Sequence, residues 1–492
     1  MNTVRIDPAP LYALSPYLFM QFAEPLGTAD SSIDAAWDFL HDVWQPKAVE
    51  MFRRMAPPML RWGGCFSSYY HWRDAVGPFA ERRPMHNLCW DGVYLNRVGT
   101  AELAELAATV NAELLFCVNF ESDGRKQWAR PRPDLDLCGT AEEAAAWVRY
   151  CNDPDDALRI SHGRREPYGV RYWQIGNETS YDPNGFTSAE NAAAAKRFVR
   201  AMRAADPDLR LIVWGDGPNA AWSARYHEGL TCDWTRDICE AVGPEEAELV
   251  AFHNHWGGWP ESEGLHGMAY REDPDRTWER LMNVETQTFE DRIQYMRASV
   301  APYYRKLAIT EAHLVPKGRH RGDVLSSWAA GAAYARCANI LQRHGDMVEI
   351  ATLADFMGNR WQNNAVMLPT PIRTSVPYLL PVGTVMTLYS HHIGEQAVRA
   401  EAGGGVDLAA SRTGNRLFVH MVNTDRTRAE TLVFECGGRA LKPEKVYEIA
   451  VDSTAEVWDG CPDIFAPREI VPEGETYVLP AAGVAVAEFR LD

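Results

Sequence analysis

Val170-Arg171-Tyr172-Trp173-Gln174-Ile175-Gly176-Asn177-Glu178 is a short run of β-type residues that ends in Gly-Asn and a carboxylate. Lys306-Leu307-Ala308-Ile309-Thr310-Glu311 has the same plan. Such near-continuous apolar runs, without in-out alternation, belong to strands buried on both faces, as in a parallel sheet covered by helices. Runs of this kind recur at 18–24, 58–62, 113–119, 209–214, 248–253 and 347–354. Between them lie stretches with apolar residues every three or four positions, at 101–111, 140–151, 189–204 and 324–343, which read as helices. Eight strands, each followed by a helix, predict a (β/α)₈ TIM barrel over residues 18–390 with its reactive groups at the C-terminal strand ends. The competing doubly wound sheet normally shows a glycine-rich phosphate loop after its first strand. No such loop follows residues 18–24.

Beyond residue 390 the pattern changes. Arg416–Asn423, Glu430–Glu435 and Val484–Leu491 are short β-type runs separated by Gly, Pro and Asp clusters, which predicts a C-terminal β-sandwich over 391–492. The opening Val4-Arg5-Ile6-Asp7-Pro8 is expected to supply it with a strand, making 1–17 part of that module.

Hydrophobic residues make up 46% and charged residues 24% of the 492, ordinary for a globular enzyme of one large and one small domain. The net charge of −18 repels a nucleic-acid backbone or an anionic membrane, and leaves a neutral sugar indifferent. The ten cysteines are scattered without a Cys-x-x-Cys pair, which suits a reducing compartment rather than a disulfide scaffold or a zinc ribbon. The N-terminus has no apolar core of a signal peptide and no stretch reads as membrane-spanning, so a cytoplasmic location is expected.

On the strand count, Glu178 ends the fourth strand and Glu311 the seventh, positions that face each other across a barrel mouth. Two facing carboxylates suffice to cleave a glycosidic bond without metal or cofactor, and no cofactor is expected. Asn177 adds an amide able to meet a sugar hydroxyl. Asp216, after the fifth strand, is a third carboxylate that replaces either glutamate if the strand count slips. His253-x-His255 has the spacing of a metal-ligand pair on one strand face, but a Lys-His-Asp companion set is not evident, and orienting a carboxylate or a sugar hydroxyl is the preferred role. Most of the seventeen tryptophans, Trp147 and Trp328 included, read as core; Trp256 and Trp259 are the better sugar platforms. Cys65, directly after Gly63-Gly64, reads as a packing or sugar-contact residue rather than a nucleophile.

The chain resembles the family 51 α-L-arabinofuranosidases, a family of retaining glycosidases built on the (β/α)₈ barrel. The likeness runs nearly full length, through Phe22–Gly27, Leu60–Phe66, His71–Pro78, Arg82–Pro84, Tyr172–Glu178 and Arg373–Ser375, with 71–84 the most distinctive stretch. The resemblance implies that Glu178 is the acid/base and Glu311 the nucleophile, and that Glu24, Arg61, Cys65 and Asn177 line the terminal-sugar subsite. His255, Trp256 and Asp355 are expected in the same wall. It further implies exo-cleavage of terminal α-L-arabinofuranosyl residues from oligosaccharides, and a homo-oligomer, frequently a hexamer in the family.

The chain also departs from the family pattern. A proline usual before Gly63 is missing, His253-Asn254-His255 stands where His-Tyr-Tyr is usual, and Asp355 stands where a glutamine is expected. Thr310-Glu311-Ala312-His313 replaces Asp-Glu-Trp-Asn. These changes keep open another sugar, such as a galactofuranoside. A metal-dependent hydrolase using His253 and His255, and a catalytically dead sugar-binding module, are the rivals of other classes.

Overall fold

The computed structural model describes residues 1–121, 137–181, 186–216, 234–257, 269–315 and 322–491. Trp259, read above as a sugar platform, lies outside them. The chain divides into two compact units: Met20–His253 with Gln294–Thr310, and Met1–Phe19 with Asn254–Ile293 and Glu311–Asp492.

The first unit is α/β. Strands Gln21–Ala23, Met59–Trp62, Glu113–Val118, Tyr172–Ile175, Arg210–Trp214 and Leu249–Trp256 pair in that order, every pairing parallel. The register sets Phe22 beside Arg61, Trp62 beside Phe116 and Phe116 beside Trp173. Met59–Trp62, Tyr172–Ile175 and the Leu211–Trp214 stretch are buried throughout, the physical reason their sequence lacks alternation. Helices Pro46–Met55, Thr100–Val110, Ala141–Asn152, Ser188–Ala205 and Trp234–Ala241 fall between the strands. Two carry the stops and starts that their sequences announce. Thr140 accepts the Glu143 N–H, and Thr187 and Glu190 cap each other reciprocally.

The strands' C-terminal ends are where the sequence reading needs correction. The Tyr172–Ile175 strand stops three residues short of Glu178, because Gly176 and Glu178 take the left-handed backbone region, with φ of 77° and 50°. Glu311, expected to close its strand, instead lies inside Lys306–Leu314. The buried run continues through Ala312, His313 and Leu314 and keeps the backbone extended.

The second unit contains a ten-stranded sheet. Asn2–Ala13 pairs parallel with Glu430–Cys436 and antiparallel with Gln396–Glu401. Val4 and Ile6 face in while Arg5 and Asp7 face out, the period-two pattern of a strand with one wet face. Val4, Ile6, Leu417, Val419, Met421, Phe434 and Phe489 share its core. Helix Trp328–Arg343 is buried on nearly every side. Trp328 Nε1 donates to the Ala482 carbonyl at 2.8 Å, and Asn339 and Arg343 both donate to Asp407. Asp355–Gly358 pairs parallel with Asn364–Met367 in the same unit. Among the described residues no helix is long and apolar enough to cross a membrane.

Candidate functional site

In the α/β unit the candidate residues collect around the Gly176–Glu178 turn. Arg61, 1% exposed, donates from Nε to Gln174 Oε1 at 2.9 Å and from Nη2 to Asn177 Oδ1 at 2.6 Å. Gln174 in turn donates to the Gly176 carbonyl at 2.9 Å. Two strands thus brace the backbone that presents Glu178. With its oxygen turned to Arg61, Asn177 has its buried Nδ2 without a partner among the described residues. A buried amide left in that state costs free energy until something accepts from it.

Glu178 is 5% exposed. Its Oε1 meets His253 Nδ1 at 2.8 Å, and the Cys65 thiol lies 3.8 Å from its Oε2. His253 reaches Thr310 Oγ1 through Nε2 at 3.1 Å and sets its ring edge against Trp214 at 4.7 Å. Both imidazole nitrogens are therefore engaged, and ligating a metal there requires breaking one of these bonds. The left-handed φ of Glu178 is uncommon for a non-glycine residue and is the kind of backbone cost that persists at functional positions.

Glu24, 6% exposed, accepts from Trp90 Nε1 at 3.2 Å, while its backbone carbonyl accepts from Ser32 at 2.7 Å. Hydrogen bonding with Cys89, burial, and the negative fields of Cys89, Glu178 and Glu24 push the Cys65 thiol well above its usual range. It stays protonated and is no thiolate nucleophile. Asp216 is fully buried. It accepts from Ser180 Oγ at 2.7 Å, and Ser180 accepts from Trp214 Nε1 at 2.9 Å. Asp216 thus steadies the loop after Glu178.

The second unit carries Glu311, 6% exposed. His255 Nε2 lies 3.9 Å from Glu311 Oε2. The His255 ring stacks on His313 with centroids 4.4 Å apart and planes 24° apart, and His313 Nδ1 meets Asp355 Oδ1 at 3.0 Å. Trp256 is 4% exposed and packs on Phe289 and Tyr334, with centroids 4.7 and 5.9 Å away. That is a core position, and its ring is not offered as a platform.

Sequence reasoning did not single out Gln174, Thr310, His313 or Trp90 as site residues. Gln174 did carry a signal, as a polar side chain inside an otherwise apolar buried strand, which demands a partner. Trp90 carried none.

The family model for the α-L-arabinofuranosidase 1 domain matches residues 51–238. An α-L-arabinofuranosidase C of Emericella nidulans is 29% identical over 225 residues, covering 42% of this chain and 40% of that one. An intracellular exo-α-(1→5)-L-arabinofuranosidase of Acetivibrio thermocellus is 27% identical over 223 residues, covering 44% and 40%. The chain thus spans less than half the length of these curated relatives. The solved structure of a family 51 α-L-arabinofuranosidase from Bifidobacterium longum superposes with a TM-score of 0.81 over 99% of both chains at 16% identity. Residues 51–238 thus resemble an α-L-arabinofuranosidase domain in sequence, and along its length the chain shares the fold of the Bifidobacterium longum enzyme.

Proposed function

We propose that the parallel strands close into a (β/α)₈ barrel and that the chain is a retaining exo-glycosidase, removing terminal α-L-arabinofuranosyl residues from oligosaccharides. The observation that carries this reading is the mounting of Glu178. A buried carboxylate stands in a strained turn, gripped by His253 on one oxygen, beside an Asn177 amide that awaits an acceptor. A sugar hydroxyl supplies that acceptor.

In the first step Glu178 gives its proton to the glycosidic oxygen as the C1–O bond breaks, and Glu311 attacks C1. In the second, Glu178 takes a proton from water, the water oxygen bonds to C1, and Glu311 leaves as carboxylate. Glu24 and Asn177 bind sugar hydroxyls, Arg61 holds Asn177 in place, and Cys65 packs beside Glu178. No step calls for a metal or cofactor. The Acetivibrio thermocellus relative, described as intracellular and exo-acting, supports a cytoplasmic enzyme working on imported fragments. A homo-oligomer is part of the same proposal.

The test is release of 4-nitrophenol from a panel of nitrophenyl glycosides by wild type and Glu311→Ala. The α-L-arabinofuranoside should be turned over by wild type, without inhibition by EDTA, and not by the variant. Turnover of β-D-galactofuranoside instead would move the specificity, a second reading motivated by the histidines and Asp355 near Glu311. Silence across the panel would overturn the reading.

A further inference from the structure

Three positions where the chain departs from its family pattern sit on three different strands. His255 lies on Leu249–Trp256, His313 on Lys306–Leu314, and Asp355 opens Asp355–Gly358. The structure gathers them into one chain of contacts that ends on Glu311. Asp355 meets His313 at 3.0 Å, His313 stacks on His255 at 4.4 Å, and His255 Nε2 lies 3.9 Å from Glu311 Oε2. His313 and Asp355 are each 5% exposed, so their pairing is made away from bulk water, where geometry is held tightly.

We propose that Asp355, His313 and His255 act as one positioning unit that makes Glu311 a better leaving group in the second half of the reaction. This rests on the reading of Glu311 as nucleophile. Asp355 accepts from His313 Nδ1–H and so fixes the tautomer and plane of that ring. The fixed His313 face holds the His255 ring by stacking, with its Nε2 edge turned to Glu311. The 3.9 Å gap is too long for a hydrogen bond in the free protein, and such contacts commonly tighten once substrate is bound. When water attacks C1, the C1–Oε bond breaks and its electron pair returns to Glu311. A donor at Oε2 stabilises that returning charge. The same donor weakens Glu311 as attacking group, so its benefit falls on release of the sugar and not on the first attack.

That asymmetry gives a signature a structural role would not produce. With nitrophenyl arabinofuranoside, whose leaving group departs easily, His255→Ala should lower kcat about 10- to 100-fold, the worth of a hydrogen bond to a charged group. KM should fall in parallel, kcat/KM should stay within about threefold, and mixing should release a burst of nitrophenol stoichiometric with enzyme. His255→Gln, which keeps a donor of similar reach, should recover most of kcat. Asp355→Ala should act in the same direction, and adding it to His255→Ala should cost nothing more.

Loss of kcat and kcat/KM in equal measure, with no burst, would overturn the proposal. So would full additivity of Asp355→Ala and His255→Ala, or a fall in melting temperature with unchanged kinetics of the folded enzyme. If wild type is active and Glu311→Ala is not, such results sink only the positioning unit. If Glu311→Ala keeps full activity, the nucleophile assignment falls, and this unit with it.

Discussion

Gly64 fixes where Glu24 stands. Its φ of 149° lies in the region that L side chains rarely adopt. A Cβ added there would sit 1.8 Å from Glu24 Oε2, 2.3 Å from its Cδ and 2.9 Å from its Cβ. Restoring ordinary contact for Gly64→Ala therefore needs the Glu24 carboxylate to retreat by about 1 Å or more, against Trp90 on its other oxygen. With Glu24 binding a sugar hydroxyl as proposed, a displacement of about 1 Å costs about 100-fold. Backbone strain adds about 1–3 kcal/mol of lost stability. Gly64→Ala should then lower kcat/KM for nitrophenyl α-L-arabinofuranoside about 100-fold while remaining folded in a urea titration. Glu24→Ala, which empties the same position without the clash, should match it in activity, at a modest cost in stability from the lost Trp90 hydrogen bond. If Glu24→Ala is crippled while Gly64→Ala stays within threefold of wild type, the close approach of the glycine does not govern Glu24.

Other perturbations test the frame. Burial lowers the pKa of His420 from 6.5 to about 3, so its contribution to stability is present above pH 6.5 and is lost as pH falls towards 3. At pH 5 the loss relative to neutral pH is about 2 kcal/mol, and His420→Phe should abolish that part of the acid sensitivity in urea titrations. Asp34 has the opposite sign: burial raises it from 3.8 to about 6, and its contribution fades as pH rises through that window. Asp34→Asn should stabilise the protein by about 1–2 kcal/mol at pH 8, after allowance for its partly exposed position, and leave pH 3 unchanged. Glu102 accepts from both Arg82 terminal nitrogens, at 2.7 and 3.0 Å, with both side chains buried. Glu102→Gln should cost about 3–5 kcal/mol in a urea titration through the uncompensated guanidinium, and act on kinetics only through the folded fraction.

The Arg82 pair shows where a sequence motif stops being legible. The stretch 71–84 stood out as the most distinctive part of the family resemblance. In the structure Arg82 donates to the carbonyls of Gly77, Asn96 and Arg97 as well as to Glu102, and so ties down a long loop. Strands were readable for a plain reason: Met59–Trp62 and Tyr172–Ile175 are buried on both faces, and burial leaves an apolar run. Glu178 was readable as the carboxylate after such a run. Its left-handed backbone and its bond to His253 were not, because φ leaves no trace in a glutamate and the partner is distant in sequence.

The departures from the family pattern carry the sharper lesson. Read along the chain, His255, His313 and Asp355 look like three separate losses of sugar-reading groups, each weakening the case for the activity. Which residues of distant strands meet cannot be read from a single sequence, and here His313 meets Asp355 and stacks on His255. Once they touch, the three changes stop being independent. A histidine beside Glu311 without a fixed neighbour would be free to turn away, and an aspartate buried without His313 would carry an uncompensated charge. Any one of them alone is costly, whereas together they satisfy one another, which is the pattern expected when a wall is rebuilt rather than lost.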